Sequence, residues 1–143
     1  MLLEVWPRIM AAVPQATLHL YYGFKNWRKA SACDPAQGDL IERLGKQIIE
    51  TPGVVYHGRV SQTELTKAYL ESSVLLHPSW FTETSGITFM QAQAACLRVV
   101  TTPLAALPET LAGYDRVSWV DGVWTDKDYQ DRFVAEAVKS LRS

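Results

Sequence analysis

Cysteine is scarce in this chain: 143 residues hold two, Cys33 and Cys96. Their wide separation matches neither the paired spacing of a zinc site nor the density of a disulfide scaffold, and it fits a reducing cytoplasm. There is no excess of charge either, with 14 basic against 15 acidic side chains. Such a balance gives no standing positive field, which counts against non-specific binding to nucleic acid or to a membrane surface. No apolar run approaches the roughly 20 residues of a membrane span, and MLLEVWPRIM lacks the basic and long apolar regions of a signal peptide. Glycine-rich dinucleotide and P-loop fingerprints are missing. No serine or cysteine stands in a nucleophile elbow or beside a basic partner. The histidines, His19, His57 and His77, fall in or at the ends of predicted strands without ligand spacing or a carboxylate cluster, so no metal site is expected. What is present is an ordinary share of apolar residues, 48%, in a chain long enough to bury one core.

Apolar residues from Leu2 to Val13 recur at three- and four-residue steps, which predicts a helix stopped by Pro14. ATLHLYYG then reads as a buried strand with a tight exit at Gly23. A second helical stripe runs from Asp39 to Glu50, and VVYHG makes a short strand. Ser61-Gln62-Thr63-Glu64 is a capping box opening a helix to about Ser72. VLLH, RVVTT and VSWV are further strands, separated by helical ITFMQAQAA and LPETLAG, and an amphipathic helix from Asp126 to Leu141 closes the pattern. Five alternations with continuously apolar strands are what a parallel sheet buried on both faces requires. The expected class is α/β, doubly wound, in one domain.

In such a sheet ligands bind beyond the carboxyl ends of the strands. That selects GFKNWRK, HGRVS, HPSWFTETSGI and TTPLAALPE. In the third segment Thr84 and Ser85 are capping residues, Gly86 leaves room for a ligand against the backbone, and a helix opening near Ile87 presents unbonded amides. The combination suits a phosphate and equally describes an ordinary capped helix. Phe24 to Lys29 interleaves aromatics and cations, as the rim of a cleft or as a solvated loop with one packed Trp. Trp80 and Phe81 fit a pocket wall or the core. His77 fits a hydrogen-bonded turn better than an acid or base.

From Val54 to Thr110 the ordered runs V-V-Y-H-G-R-V-S, L-L-H-P-S, Glu83-T-S-G-I-T-F-M-Gln91, Val99-Val100 and Pro108-Glu109 resemble the nucleotide-binding half of retaining glycosyltransferases of the GT-B architecture, in particular the large family-four group. The likeness extends to the first helix and strand. It implies a Rossmann-like three-layer α/β/α domain over residues 1–143, with a mostly parallel sheet of about five strands and helices on both faces. It further implies a nucleotide-diphosphate sugar as substrate, with neither a metal nor a resident cofactor. In that reading Glu83 is the catalytic-site residue beside the donor sugar, and the amides of Thr84, Ser85, Gly86 and Ile87 face the sugar and the diphosphate. Gln91 meets the ribose, and Gly58, Arg59 and Val60 line the nucleoside base.

The departures are informative. Gln91 stands where the family has a second glutamate, and an amide lacks the two charged acceptors of a carboxylate. Cys96-Leu97-Arg98 stands where the family has Gly, a small residue and Pro, which puts Arg98 in a solvated loop. The family's cation-bearing strand, with an Arg and a Lys–Gly turn, comes before the first helix, and this sequence opens inside that helix. The chain is therefore expected to be an excerpt or remnant of a longer cytoplasmic enzyme, without its acceptor-binding domain. By itself it is expected to bind nucleotide weakly and to catalyse nothing. A strand missing from the middle of the sheet leaves three outcomes: ATLHLYY and VLLH pair directly, another chain fills the edge, as in a homo-oligomer, or the strand order differs. The alternative is a non-catalytic nucleotide- or sugar-binding module or assembly subunit. A third option is a receiver- or flavodoxin-like domain without glycosyl chemistry; the lack of an acidic cluster after the first strand argues against a receiver.

Overall fold

A computed structural model describes residues 1–22 and 35–143; Gly23, the Phe24 to Lys29 stretch and Cys33 lie outside the described residues. Among the described residues eleven elements follow one another: α1 (Leu2–Ala12), β1 (Leu18–Leu20), α2 (Pro35–Glu50), β2 (Val54–Tyr56), α3 (Gln62–Glu71), β3 (Val74–His77), α4 (Ile87–Ala94), β4 (Arg98–Thr101), α5 (Leu107–Thr110), β5 (Val117–Trp119) and α6 (Lys127–Arg142). The α/β class and the parallel strands are as expected. Helix α2 starts four residues before the apolar stripe does, because Pro is favoured in a first turn, where its missing N–H was unbonded in any case.

The strands form two hydrogen-bonded sheets. β1 pairs with β2, from Leu18 opposite Val54 to Leu20 opposite Tyr56. The second sheet has the order β3-β4-β5, with Val74 opposite Arg98 and Val99 opposite Val117. Direct pairing of β1 with β3 is thereby excluded. A parallel ladder turns alternate residues to alternate sides. Leu18 N–H bonds Gly53 O and His57 N–H bonds Leu20 O, so the main-chain groups of His19 point away from β2. Arg98 N–H bonds Ser73 O, so those of Val74 and Leu76 point away from β4. Arg98 itself opens β4, half-buried, which corrects its assignment to a solvated loop.

Two layers of apolar packing hold these sheets. On one side Val5, Trp6 and Ile9 of α1, Tyr129, Phe133 and Ala137 of α6, Leu18, Val100 and Val120 form a buried cluster, with Val54, Val74 and Leu76 against it. Both sheets rest on this cluster. Trp6 also donates its Nε1–H to Pro52 O at 3.0 Å, which ties α1 to the turn before β2. On the other side Phe89 and Ala92 of α4, Leu97, Val99, Leu107 and Leu111 make a second cluster. Val99 and Val100 are both fully buried, one in each cluster, as the alternation of a strand covered on both faces dictates.

Candidate functional site

Helix α4 begins at Gly86, which takes a left-handed conformation (φ 60) as the N-cap residue, and no side chain caps the helix. That corrects the expectation that Thr84 or Ser85 would cap it. The N–H groups of Phe89 and Met90 both reach the Gly86 carbonyl, leaving the amides at the helix start to what lies in front of them. Packing requires the glycine: a Cβ at Gly86 would stand 2.8 Å from Leu107 Cδ2 and 2.9 Å from Phe89 Cδ2, so two buried side chains occupy the space any side chain would need there.

The turn before α4 is fastened from α5. Thr110 Oγ1 donates to Ser85 O at 2.8 Å, and Ala106 N–H donates to Glu83 O at 3.4 Å. These bonds join the Glu83–Gly86 turn to the Pro108-Glu109 segment. Sequence reading paired the two only by resemblance and missed Thr110, since a hydroxyl that bonds a main-chain carbonyl leaves no spacing signal. Trp80 and Phe81, 65% and 61% exposed, are not core residues; their rings meet edge to face, 6.4 Å between centroids.

Gly58, Arg59 and Val60 follow β2 and lead into α3. Gly58 has φ 69, which glycine adopts without strain. The α3 capping box is complete: Ser61 Oγ accepts from Glu64 N–H, and Glu64 Oε2 accepts from Ser61 N–H at 2.9 Å. The Ser61 hydroxyl, then its amide, hold the Glu64 carboxyl below its ordinary value. Gln91 on α4 donates Nε2–H to Gln62 Oε1 at 3.4 Å. This contact brings Gln91 to the foot of the Gly58–Val60 loop, so residues from behind β2 and β3 meet at one place.

Of the histidines, His19 and His57 do approach each other. His19 Nδ1 lies 2.9 Å from His57 Nε2, and Tyr21 stacks on His57 with 4.3 Å between centroids, all on the exposed face of the two-stranded sheet. Among the described residues no group of three or more His, Cys, Asp or Glu side chains surrounds one point. His77 stands apart at the end of β3, its carbonyl accepting from Thr101 Oγ1 at 2.8 Å and its ring edge-on to Phe89. Its Nδ1 is enclosed without a hydrogen-bond partner, contrary to the expected bonded turn residue. Burial pushes its pKa down, and the Glu83 carboxylate acts the other way. The neutral ring is thus favoured near pH 7.

A groove of about 470 Å³ opens between Pro103, Pro108, Leu111, Tyr114, Trp119 and Asp121. It takes in Pro108 of the Pro108-Glu109 pair and Pro103 of the TTPLAALPE segment but none of the residues assigned to the donor, and it lies beside α5, which bonds to the Glu83–Gly86 turn. No described helix is long and apolar enough to cross a membrane.

A search of curated proteins finds no match. A family model described as glycosyl transferases group 1 matches residues 1–143. With the match running over the whole sequence, the chain belongs to the group 1 glycosyl transferases.

Proposed function

We propose that this chain is the donor-binding part of a glycosyltransferase that moves a hexose from a nucleotide-diphosphate sugar to an acceptor, with retention at the sugar carbon. The observation that carries the reading is the Glu83–Gly86 turn, fastened by Thr110 and Ala106 and opening on helix-start amides with no side-chain cap. Fixed amides at a helix start stabilise a leaving diphosphate without reorganising. Glu83 orients the sugar, the amides from Thr84 to Ile87 hold phosphate, Gln91 takes a ribose hydroxyl, and Gly58, Arg59 and Val60 border the base. The reading needs no resident cofactor or metal. The acceptor is bound by a further domain or a second chain, and the outward main-chain groups of His19, Val74 and Leu76 are where an added strand would pair.

One observation favours a second reading, a module that keeps the fold and binds nucleotide or sugar without turnover. Gln91, an amide in place of a carboxylate, is already engaged by Gln62. Titration with UDP, GDP and ADP, followed residue by residue by NMR, tests the donor site. Shifts confined to Gly58–Val60 and Thr84–Gln91 are expected for one of the three; no response at millimolar nucleotide rejects both readings and leaves a structural role. Turnover of the matching nucleotide sugar then separates transferase from module.

A further inference from the structure

We propose that His19 and His57 form a metal site: a two-imidazole chelate for a borderline divalent ion such as Zn²⁺, Cu²⁺ or Ni²⁺, separate from the donor site and taking no part in transfer. His19 Nδ1 lies 2.9 Å from His57 Nε2, and both side chains are exposed. A separation of 38 positions carries no ligand spacing; the ladder supplies it. Leu18 lies opposite Val54, His19 opposite Val55 and Leu20 opposite Tyr56, so His57 stands one alternation beyond Val55 and on the same face as His19. The two rings lie within 15° of parallel there, and their nitrogens meet edge to edge.

Each ring is also held by a second neighbour. Thr17 Oγ1 lies 3.1 Å from His19 Nε2, the nitrogen that does not face His57. A metal-bound imidazole gives its other N–H to an oxygen, which fixes its tautomer and its aim, and Thr17 is placed to be that oxygen. Tyr21 stacks on His57, 6° from parallel with 4.3 Å between centroids, so the imidazole turns most easily within its own plane. A tetrahedral ion with bonds of about 2.0–2.1 Å keeps two nitrogens roughly 3.3 Å apart, so the pair must open by only about 0.4 Å from its present 2.9 Å. The ion takes one lone pair from each ring. The proton that lay between the rings moves through water to the other nitrogen of its own ring, leaving His19 Nε2–H to Thr17 and His57 Nδ1–H to solvent. Both imidazoles stay neutral, and no proton is gained or lost.

The donor set then selects the ion. Among the described residues no third His, Cys, Asp or Glu joins the pair. Hard ions such as Mg²⁺ and Ca²⁺, which need several oxygen ligands, find none, whereas imidazole nitrogen suits zinc, copper and nickel. Water completes the coordination on this exposed face. The ion joins β1 to the residue that leaves β2, on the face of the smaller sheet away from the α1 and α6 cluster. Because the unfolded chain holds no such prearranged pair, an ion bound there stabilises the fold.

Zinc chloride titrated into the full chain, and followed in the long-range ¹H–¹⁵N spectrum of the histidine rings, reads the site directly. His19 and His57 are expected to shift together with a single midpoint, their protons ending on His19 Nε2 and His57 Nδ1, while His77 stays unchanged. Magnesium chloride should move neither ring. His57→Ala should weaken zinc at His19 at least about tenfold, because the second ligand is no longer held within the same molecule, and His19→Ala should do the same at His57. Both rings are exposed, so either variant is expected to fold. Thr17→Val keeps both imidazoles and should weaken zinc about tenfold, with Thr17→Ser recovering most of the loss. Zinc should raise the unfolding temperature of the parent chain and leave that of His57→Ala unchanged. Different midpoints for the two rings, an undiminished affinity at one ring after the other is removed, or uptake at Cys33 or Cys96 with no ring shift each overturn the proposal, and none of them bears on the donor site.

Discussion

The two sheets of this domain are built from the same kind of parallel pairing and differ in how they are covered. β3-β4-β5 is packed on both faces, with Val99 and Val100 buried on opposite sides. Helix α2 packs against β2, and the β1-β2 sheet meets the α1 and α6 cluster through Leu18, Leu20 and Val54. Its other face carries His19, Tyr21 and His57, stacked on one another and open to water among the described residues. Parallel sheets in α/β proteins are normally covered on both faces; among the described residues, the His19 face of the smaller sheet is open. The residues proposed for the base follow the smaller sheet, and those proposed for phosphate and sugar follow the larger. Because β1 and β3 share no ladder, the halves of the site are aligned by the common helices beneath them and by the Gln62–Gln91 contact above.

That difference can be broken most forcefully at the packing both sheets share. Trp6→Ala removes a buried indole and its bond to Pro52, and should cost about 3–5 kcal/mol in denaturant unfolding. Hydrogen exchange in both sheets should rise together; loss confined to β1-β2 would mean that the larger sheet stands without α1. Gly86→Ala probes the larger sheet alone. With φ 60 and contacts of 2.8 and 2.9 Å to Leu107 and Phe89, it should cost about 1–3 kcal/mol. Exchange should rise in α4 and α5 while β1-β2 stays protected.

Helix α3 connects the sheets and has no fully buried residue, so its cap matters more than usual. Ser61→Ala should cost about 1 kcal/mol. The same change should flatten the acid limb of stability. The Glu64 carboxyl is held below its ordinary 4.5, chiefly by the Ser61 hydroxyl. Its contribution is therefore present above pH 4.5 and lost as pH falls through the lowered value. Thermal unfolding measured at several acid pH values compares the slopes. The smallest effect belongs to the open face. His19→Ala should change stability by less than about 0.5 kcal/mol, and a larger loss would show that the stacked imidazoles support the smaller sheet.

Much of this was legible in the sequence, for identifiable reasons. The α1 stripe buries Val5, Trp6 and Ile9 because a 3.6-residue period has one possible face toward the core. The capping box was readable because both of its bonds lie within four residues. At Cys96 the expected glycine is replaced, yet the backbone keeps a left-handed φ of 58, so the position's conformation outlasts the residue that suits it. The clamp on the candidate site was not legible. Thr110 meets Ser85 across 25 residues, through a hydroxyl and a carbonyl that any sequence would contain. The orphaned Nδ1 of His77 was equally hidden, since a missing partner is a property of the surroundings. Nor could a capping residue be told from an idle one: Thr84 and Ser85 have the right chemistry, and Gly86 takes the cap because packing against Leu107 and Phe89 admits no side chain there.

The sequence by itself determined the elements, their parallel pairing class, and the family pattern of Glu83, Gly86 and Pro108-Glu109, because periodicity, caps and turns act over a few residues. Only the tertiary structure decided that five strands make two sheets, that α5 holds the Glu83–Gly86 turn, and that His77 keeps an inward nitrogen unpaired. Each of these depends on which distant main-chain groups meet, and a backbone N–H or carbonyl is the same in every residue but proline until the fold brings it to its partner.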